Sequence, residues 1–302
     1  MENTAFQAKI GDFLPGIELR FNAPMKNHTS FRIGGPAEVM AFPKNSEELS
    51  EILKVSKLLD AEYRILGAGT NILAPDEGIK GIVICLKDSL DGMELLPGDR
   101  VRIAAGVSMA RAAMFAANHS LSGLEFAHGI PGSVGGGVYM NAGAYGGEIC
   151  QVCECVEVMD DSGDIRTVPG SEMDFSYRHS RLEDEGGIVL SVTFTLTPEP
   201  ESEIREKMQE LMAKRRASQP LDKPSAGSAF KRPVGGYAAA LIDGAGLKGY
   251  RVGDAAISEK HAGFAVNLGE ATAADVLTLL RQVSDKVYES SGIRIEPEIR
   301  LW

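Results

Sequence analysis

The stretch GAGLKG, residues 244–249, decides between two folds. It fits G-x-G-x-x-G, and in a doubly wound dinucleotide-binding sheet that spacing follows a strand and opens a helix. Here the order is reversed. The Ala-rich segment before it, YAAALIDGAG, has helical composition, and YRVGD after it is extended. Gly244 or Gly246 is therefore expected at a helix C-terminus, where left-handed backbone suits glycine. A doubly wound dehydrogenase is set aside on that ground.

The surrounding C-terminal segment mixes helix and strand. GFAVNL reads as a strand and AADVLTLLRQVSDKVYESS as a helix, with Thr272 and Asp275 placed to cap it. In the closing IRIEPEIRLW, Glu296 and Glu298 flank Pro297. One of the two at most is expected to enter a given site. A lone Glu there is ordinarily solvated. Upstream, EIREKMQELMAKRRAS is a charged helix. It leads to PSAGSAFKRP, residues 224–233, which sets Ser228 between Gly227 and Ala229 just ahead of Phe230, Lys231 and Arg232.

Lys214, Arg215, Arg216, Lys231, Arg232 and Lys248 bracket Ser228 in a chain whose formal net charge is −11. Cations gathered locally in an acidic protein predict an anionic small-molecule substrate. For Lys214 taken singly, a solvated helix face is the better reading. With no long basic run, nucleic acid is excluded as the main partner.

TPEPESE, residues 197–203, reads as a boundary, and the chain of 302 residues divides into 1–86, 87–197 and 198–302. In the first segment AEVMAF, YRIL and GIVICL are strands. Asn45 with Glu48 opens a helix whose face is Leu49, Ile52, Leu53, Ser56 and Leu59. In the second, VRIAAGV and GIVLSVTFTL are strands, and Ser108 caps an Ala-rich helix to about Asn118. CECVEVMD and IRTVP form a hairpin about the turn DSGD. HGIPGSVGGGVYMNAGAYGGEI is too glycine-rich for an ordinary helix or strand.

Three glycine loops remain: LGAGTN at 66–71, GIPGSVGG at 129–136 and NAGAYGG at 141–147. Small residues let backbone N–H groups approach an anion such as pyrophosphate, although a tight turn explains any one of them as well. Together they suggest one extended, phosphate-bearing cofactor. In FSYRHS, Arg178 offers a planar fork for a carboxylate or phosphate beside Tyr177, against the plainer reading of a salt-bridged surface Arg.

The four cysteines, Cys85, Cys150, Cys153 and Cys155, include one C-x-x-C pair without a second pair or a His at zinc-like spacing. Inert thiols in or beside a strand are expected, and no metal. MENTAFQAKIGDFL lacks the basic start and apolar core of a signal peptide. No apolar run approaches the ~20 residues that span a bilayer. A cytoplasmic protein is expected.

TSFRIGGPAE, LGAGTNILAPDEGIKGIVI, GIPGSVGGGVYMNAGAYGGE, DFSYRHS, GSAFKRP, LIDGAGLKGYRVGDAAISEKHAGF and EPE occur in this order along nearly the whole chain. Together they resemble the UDP-N-acetylenolpyruvoylglucosamine reductases, and the short spacing from Tyr177 to Ser228 resembles the compact type of that family. The resemblance implies an α+β fold. A two-part FAD-binding unit of the vanillyl-alcohol oxidase (PCMH) type would be followed by a C-terminal α+β substrate-binding domain. It implies FAD held through Gly67, Gly69, Thr70, Asn71, Gly132, Ser133, Asn141, Ala142 and Gly143, and NADPH as hydride donor. The implied substrate is a UDP-sugar on the way to peptidoglycan, hence a role in cell-wall biogenesis, cell shape and division. It assigns catalysis to Arg178, Ser228 and Glu298, and substrate contacts to Tyr177, Lys231, Arg232 and Lys248. Two departures stand out: Arg232 where the family usually has Asn, and Gly263 where its motif reads SEKHANF. A carbohydrate oxidase of the same flavin fold would not need Ser228, Arg178 and Glu298 together. A non-catalytic UDP-sugar sensor would leave Ser228 unexplained.

Overall fold

The computed structural model describes residues 5–87 and 89–302; residues 1–4 of the N-terminal stretch and Asp88 lie outside the described residues. Two compact units are present. The first takes the N-terminal stretch to Phe21 together with Val39–Ala68 and Gly81–Lys214; the second takes Asn22–Glu38, Gly69–Lys80 and Arg215–Trp302.

A four-stranded sheet runs in the order Glu18–Pro24, Pro36–Phe42, Ile79–Cys85, Tyr63–Leu66. Tyr63–Leu66 lies parallel to Ile79–Cys85. Helix Ser46–Leu58 begins where Asn45 Oδ1 accepts the Glu48 N–H at 2.8 Å. Its buried face is Leu49, Ile52, Leu53, Val55 and Ser56, which packs with Ile82 and Ile84 in one apolar core. A five-stranded antiparallel sheet follows, in the order Ile165–Pro169, Cys153–Met159, Ile188–Thr195, Arg100–Ala104, Met93–Leu96. The expected hairpin is there, with Met159 paired to Ile165 across the turn. Ser108 Oγ accepts the Arg111 N–H at 3.2 Å and starts helix Met109–Asn118, which lies on this sheet's core.

The glycine-dense stretch corrects an expectation. Val134–Tyr139, VGGGVY, is helical. Glycine disfavours helix by about 1 kcal/mol per residue when packing is indifferent. Here packing is not indifferent. A β-carbon on Gly135 would stand 2.8 Å from Ala105 Cβ, and one on Gly137 2.8 Å from Met109 Sδ. Ser133 caps the turn, with its Oγ accepting the Gly136 N–H at 3.4 Å.

The second unit carries a four-stranded sheet, Ser225–Ser228, Phe264–Asn267, Ala255–Ile257, Arg251–Val252. Helix Ala273–Ser291 covers the unit's apolar core with Val276, Leu279, Leu280, Val283 and Val287. Thr272 and Asp275 cap it reciprocally, each bond at 3.0 Å, and Gly292 ends it at φ +71. Asp76 adds a clamp, accepting Ala273 N–H at 2.8 Å and Ala274 N–H at 3.0 Å. Helix Ala238–Gly244 precedes the short strand Arg251–Val252, with Gly246 at φ +71 between them. The reversed order of the GAGLKG stretch is thus present in the fold. Among the described residues no helix is long and apolar enough to cross a membrane.

Candidate active site

Within the first unit, strand Tyr63–Leu66 delivers Gly67 against Ser133. A β-carbon on Gly67 would lie 2.5 Å from Ser133 Oγ. Ser133 is 2% exposed, and Gly132 before it has φ +148. The Gly132 carbonyl accepts the Met109 N–H at 3.0 Å, which seats this loop on the N-terminus of helix Met109–Asn118.

Two further loops of this unit are tied together by Asn141, itself 1% exposed and at φ +41. Its Nδ2 donates to Glu148 Oε2 at 3.2 Å and to the Ser176 carbonyl at 3.0 Å. Its Oδ1 accepts the Cys150 N–H at 3.0 Å. Arg178 repeats the link: Nη2 donates to the Gly143 carbonyl at 3.3 Å, and the guanidinium lies 5.0 Å from the Tyr177 ring centre. Arg178 sits at φ +57, left-handed backbone that is uncommon for a residue with a β-carbon. The stretches NAGAYGG and FSYRHS, separate in sequence, therefore form one structure.

In the second unit Gly69 has φ +64, and a β-carbon there would stand 2.1 Å from the His28 carbonyl oxygen. Two residues on, Asn71 meets the C-terminal strand. Its carbonyl accepts the Arg300 N–H at 2.9 Å, and its Nδ2 donates to the Glu298 carbonyl at 3.4 Å. The same C-terminal stretch runs antiparallel to the segment after Ser228. The Ala229 carbonyl accepts the Glu298 N–H at 2.9 Å, and the Glu296 carbonyl accepts the Lys231 N–H at 2.8 Å. This ladder bonds Ala229, the residue after the exposed Ser228, to Glu298, which is 8% exposed. The two carboxylates differ in setting although residues two apart share a face of a regular strand: here the chain is irregular about Pro297, and the Glu296 side chain is 77% exposed and lies 3.7 Å from Lys231 Nζ. Gly227, at φ +78, and an irregular register between Ser225 and Ser228 turn the strand just ahead of the serine.

The cations spread over several settings. Lys214 pairs with Glu210 at 2.5 Å along its own helix, and with Lys207 holds that carboxyl down to about 2, the solvated-face reading. Lys248 pairs with Asp243 at 2.8 Å, and Arg232 lies 4.8 Å from the Tyr237 ring centre. Arg215 is buried. Cys153 and Cys155 lie in the strand Cys153–Met159, and burial pushes the Cys153 thiol up to about 12. No cluster of three or more metal-ligating side chains occurs among the described residues. Sequence reasoning passed over Glu148, Ser176 and Asp76, whose partners lie 7, 35 and 197 residues away, beyond the reach of any local signal.

Residues 219–302 match the model of the UDP-N-acetylenolpyruvoylglucosamine reductase C-terminal domain, and residues 37–169 that of an FAD binding domain. The UDP-N-acetylenolpyruvoylglucosamine reductase of Agathobacter rectalis is 48% identical over 99% of this chain and 98% of its own length. That of Streptococcus pneumoniae is 43% identical over 97% of both chains. The crystal structure of the Thermus caldophilus enzyme superposes with a TM-score of 0.78 at 39% identity, covering 95% of this chain and 98% of that one. Its fold is accordingly α+β, an FAD-binding part followed by the reductase C-terminal domain, and the chain belongs to the UDP-N-acetylenolpyruvoylglucosamine reductase family.

Proposed function

We propose that this flavin oxidoreductase reduces the enolpyruvyl ether of UDP-N-acetylglucosamine to UDP-N-acetylmuramate, with FAD as cofactor and NADPH as reductant, in peptidoglycan precursor synthesis. The observation that carries the reading is the ladder from Ala229 to Glu298, which joins the segment carrying the exposed Ser228 to the one carrying the buried Glu298, in a member of this family. Residues 1–86 and 87–197 would hold FAD, and 198–302 the sugar nucleotide. The proposed setting is the cytoplasm.

The residues present fit a dinucleotide. At Gly67 and Gly69 a β-carbon would strike Ser133 Oγ and the His28 carbonyl oxygen, so glycine lets this loop fold tightly, as an anion-binding turn of main-chain N–H groups requires. Gly67, Gly69, Thr70, Asn71, Gly132, Ser133, Asn141, Ala142 and Gly143 would hold the FAD. Asn141 spends its side chain on Glu148, Ser176 and Cys150, so its part is to fix the loop. The chemistry FAD supplies when bound is hydride transfer from NADPH to the terminal carbon of the enolpyruvyl group.

That transfer leaves negative charge on the carbon beside the substrate carboxylate. Arg178 binds this carboxylate and spreads the charge. Glu298, itself 8% exposed, would hold and polarise the same carboxylate together with Arg178. Ser228 delivers its hydroxyl proton to the carbanionic carbon as general acid. A serine is a weak acid in water, but here the acceptor is strongly basic and the donor is held in place. Lys231 and Lys248 bind the diphosphate, Tyr177 lines the pocket, and Arg232 contacts the substrate.

The test is an anaerobic absorbance titration of the purified protein. A yellow chromophore should bleach with NADPH and return on adding one equivalent of the enolpyruvyl sugar nucleotide. Colourless protein that takes up no FAD would contradict the reading.

A further inference from the structure

Between the strands Ala255–Ile257 and Phe264–Asn267 the chain turns through His261. The turn is well tied. Ser258 Oγ accepts the N–H groups of Lys260 at 3.2 Å and His261 at 3.3 Å, and the His261 carbonyl accepts the Phe264 N–H at 3.0 Å. The imidazole stands edge-on to Phe264, with ring centres 5.1 Å apart. Its Nδ1 accepts the Gly263 N–H at 3.1 Å. Only an unprotonated ring nitrogen accepts a hydrogen bond, so the ring is neutral with its proton on Nε2.

Gly263 has no side chain, and the structure gives that a use. A β-carbon at 263 would lie 3.0 Å from His261 Cε1, 3.1 Å from Nδ1 and 3.2 Å from Ala239 Cβ. Glycine leaves room for the ring to lie close against this peptide. The Gly263 carbonyl in turn accepts the Ala229 N–H at 2.7 Å, on the peptide that follows Ser228. Phe264, the next residue, pairs with Ser228 itself.

We propose that His261 is a positioning residue for Ser228: its neutral Nδ1 fixes the Gly263 peptide, whose carbonyl anchors the Ala229 amide and so the main chain that carries the serine hydroxyl. The inference rests on the reading of Ser228 as proton donor. Protonating the imidazole would turn Nδ1 from acceptor to donor, facing another donor, and the Gly263 peptide would have to turn away. Burial holds the His261 pKa below the ordinary histidine value, and Lys248, itself paired with Asp243, adds to this. Reoxidation of the flavin by the sugar nucleotide should therefore hold through neutral pH and fail only on the acid side of the ordinary histidine range. Reduction by NADPH should show no such limb.

Two variants test this. His261→Leu removes the acceptor. His261→Asn restores one, because an Asn side chain readily accepts the amide two residues on. In His261→Leu, flavin reoxidation should slow roughly tenfold, short of the ~10²-fold that a 1 Å misplacement can cost. NADPH reduction should be unchanged, and amide exchange at Ala229 should quicken. His261→Asn should recover the rate and lose the acid limb. The proposal is overturned if Ala229 stays protected in His261→Leu, if His261→Asn is as slow as His261→Leu, or if His261→Asn keeps the acid limb. If Ser228→Ala turns over normally while Ala229 exchange quickens in His261→Leu, the anchoring stands and the reading of Ser228 falls.

Discussion

Arg178 holds a left-handed backbone, φ +57, and ties the Gly143 carbonyl with its own side chain, whereas Ser228 is placed by main-chain bonds of its neighbours Ala229 and Lys231 to Glu298 and Glu296. In the first unit the proposed reactive side chain is also part of the scaffold. In the second unit the scaffold is backbone, and the serine hydroxyl is left to chemistry. The difference separates what a substitution reports. A change at Ser228 reports on the reaction alone, while a change at Arg178 mixes reaction with local structure.

The largest expected effect probes that mixture. Arg178→Gly removes the guanidinium and also relieves the left-handed strain, worth about 1–2 kcal/mol for a residue with a β-carbon. The lost hydrogen bond to Gly143 costs a similar ~1 kcal/mol, so the melting temperature should hardly move. Flavin reoxidation should fall by about 10³-fold, roughly 4 kcal/mol of transition-state stabilisation. A large drop in melting temperature would mean that Arg178 is chiefly structural. Next comes Gly69→Ala, whose β-carbon would meet the His28 carbonyl oxygen at 2.1 Å with φ at +64. Overpacking of that kind should cost about 3 kcal/mol and lower FAD retention, read by thermal unfolding and by absorbance.

Smaller effects sharpen the view of the second unit. Thr272→Ala removes the cap of helix Ala273–Ser291 and should cost about 1 kcal/mol in denaturant unfolding, leaving turnover unchanged. Glu296→Ala removes an exposed carboxylate 3.7 Å from Lys231 and should alter stability by less than ~0.5 kcal/mol. An equal loss of activity in Glu296→Ala and Glu298→Gln would erase the distinction between the outward and the inward carboxylate.

These regions also differ in how far they could be read beforehand. Helix Ala273–Ser291 was legible to the residue, because its cap, apolar stripe and terminal glycine are all local signals. The different settings of Glu296 and Glu298 were not legible, because residues two apart share one face of a regular strand, and the chain about Pro297 is not a regular strand. Helix Val134–Tyr139 was hidden, because what selects glycine there is contact with Ala105 and Met109, distant in sequence. Arg178 at positive φ carries no mark in its residue type, whereas Asn, as at 141, is among the residues that favour it. The bond from Gly263 to Ala229 spans more than thirty residues and has no sequence signature, although the missing side chain at 263 was visible as a departure.

Proton donation by Ser228 is the central claim, and its most direct test is to time the two half-reactions of Ser228→Ala separately under anaerobic stopped flow. Bleaching by NADPH should proceed at the wild-type rate, while recolouring by the enolpyruvyl sugar nucleotide slows by about 10²-fold or more. Recolouring at the wild-type rate would mean that another group quenches the carbanion.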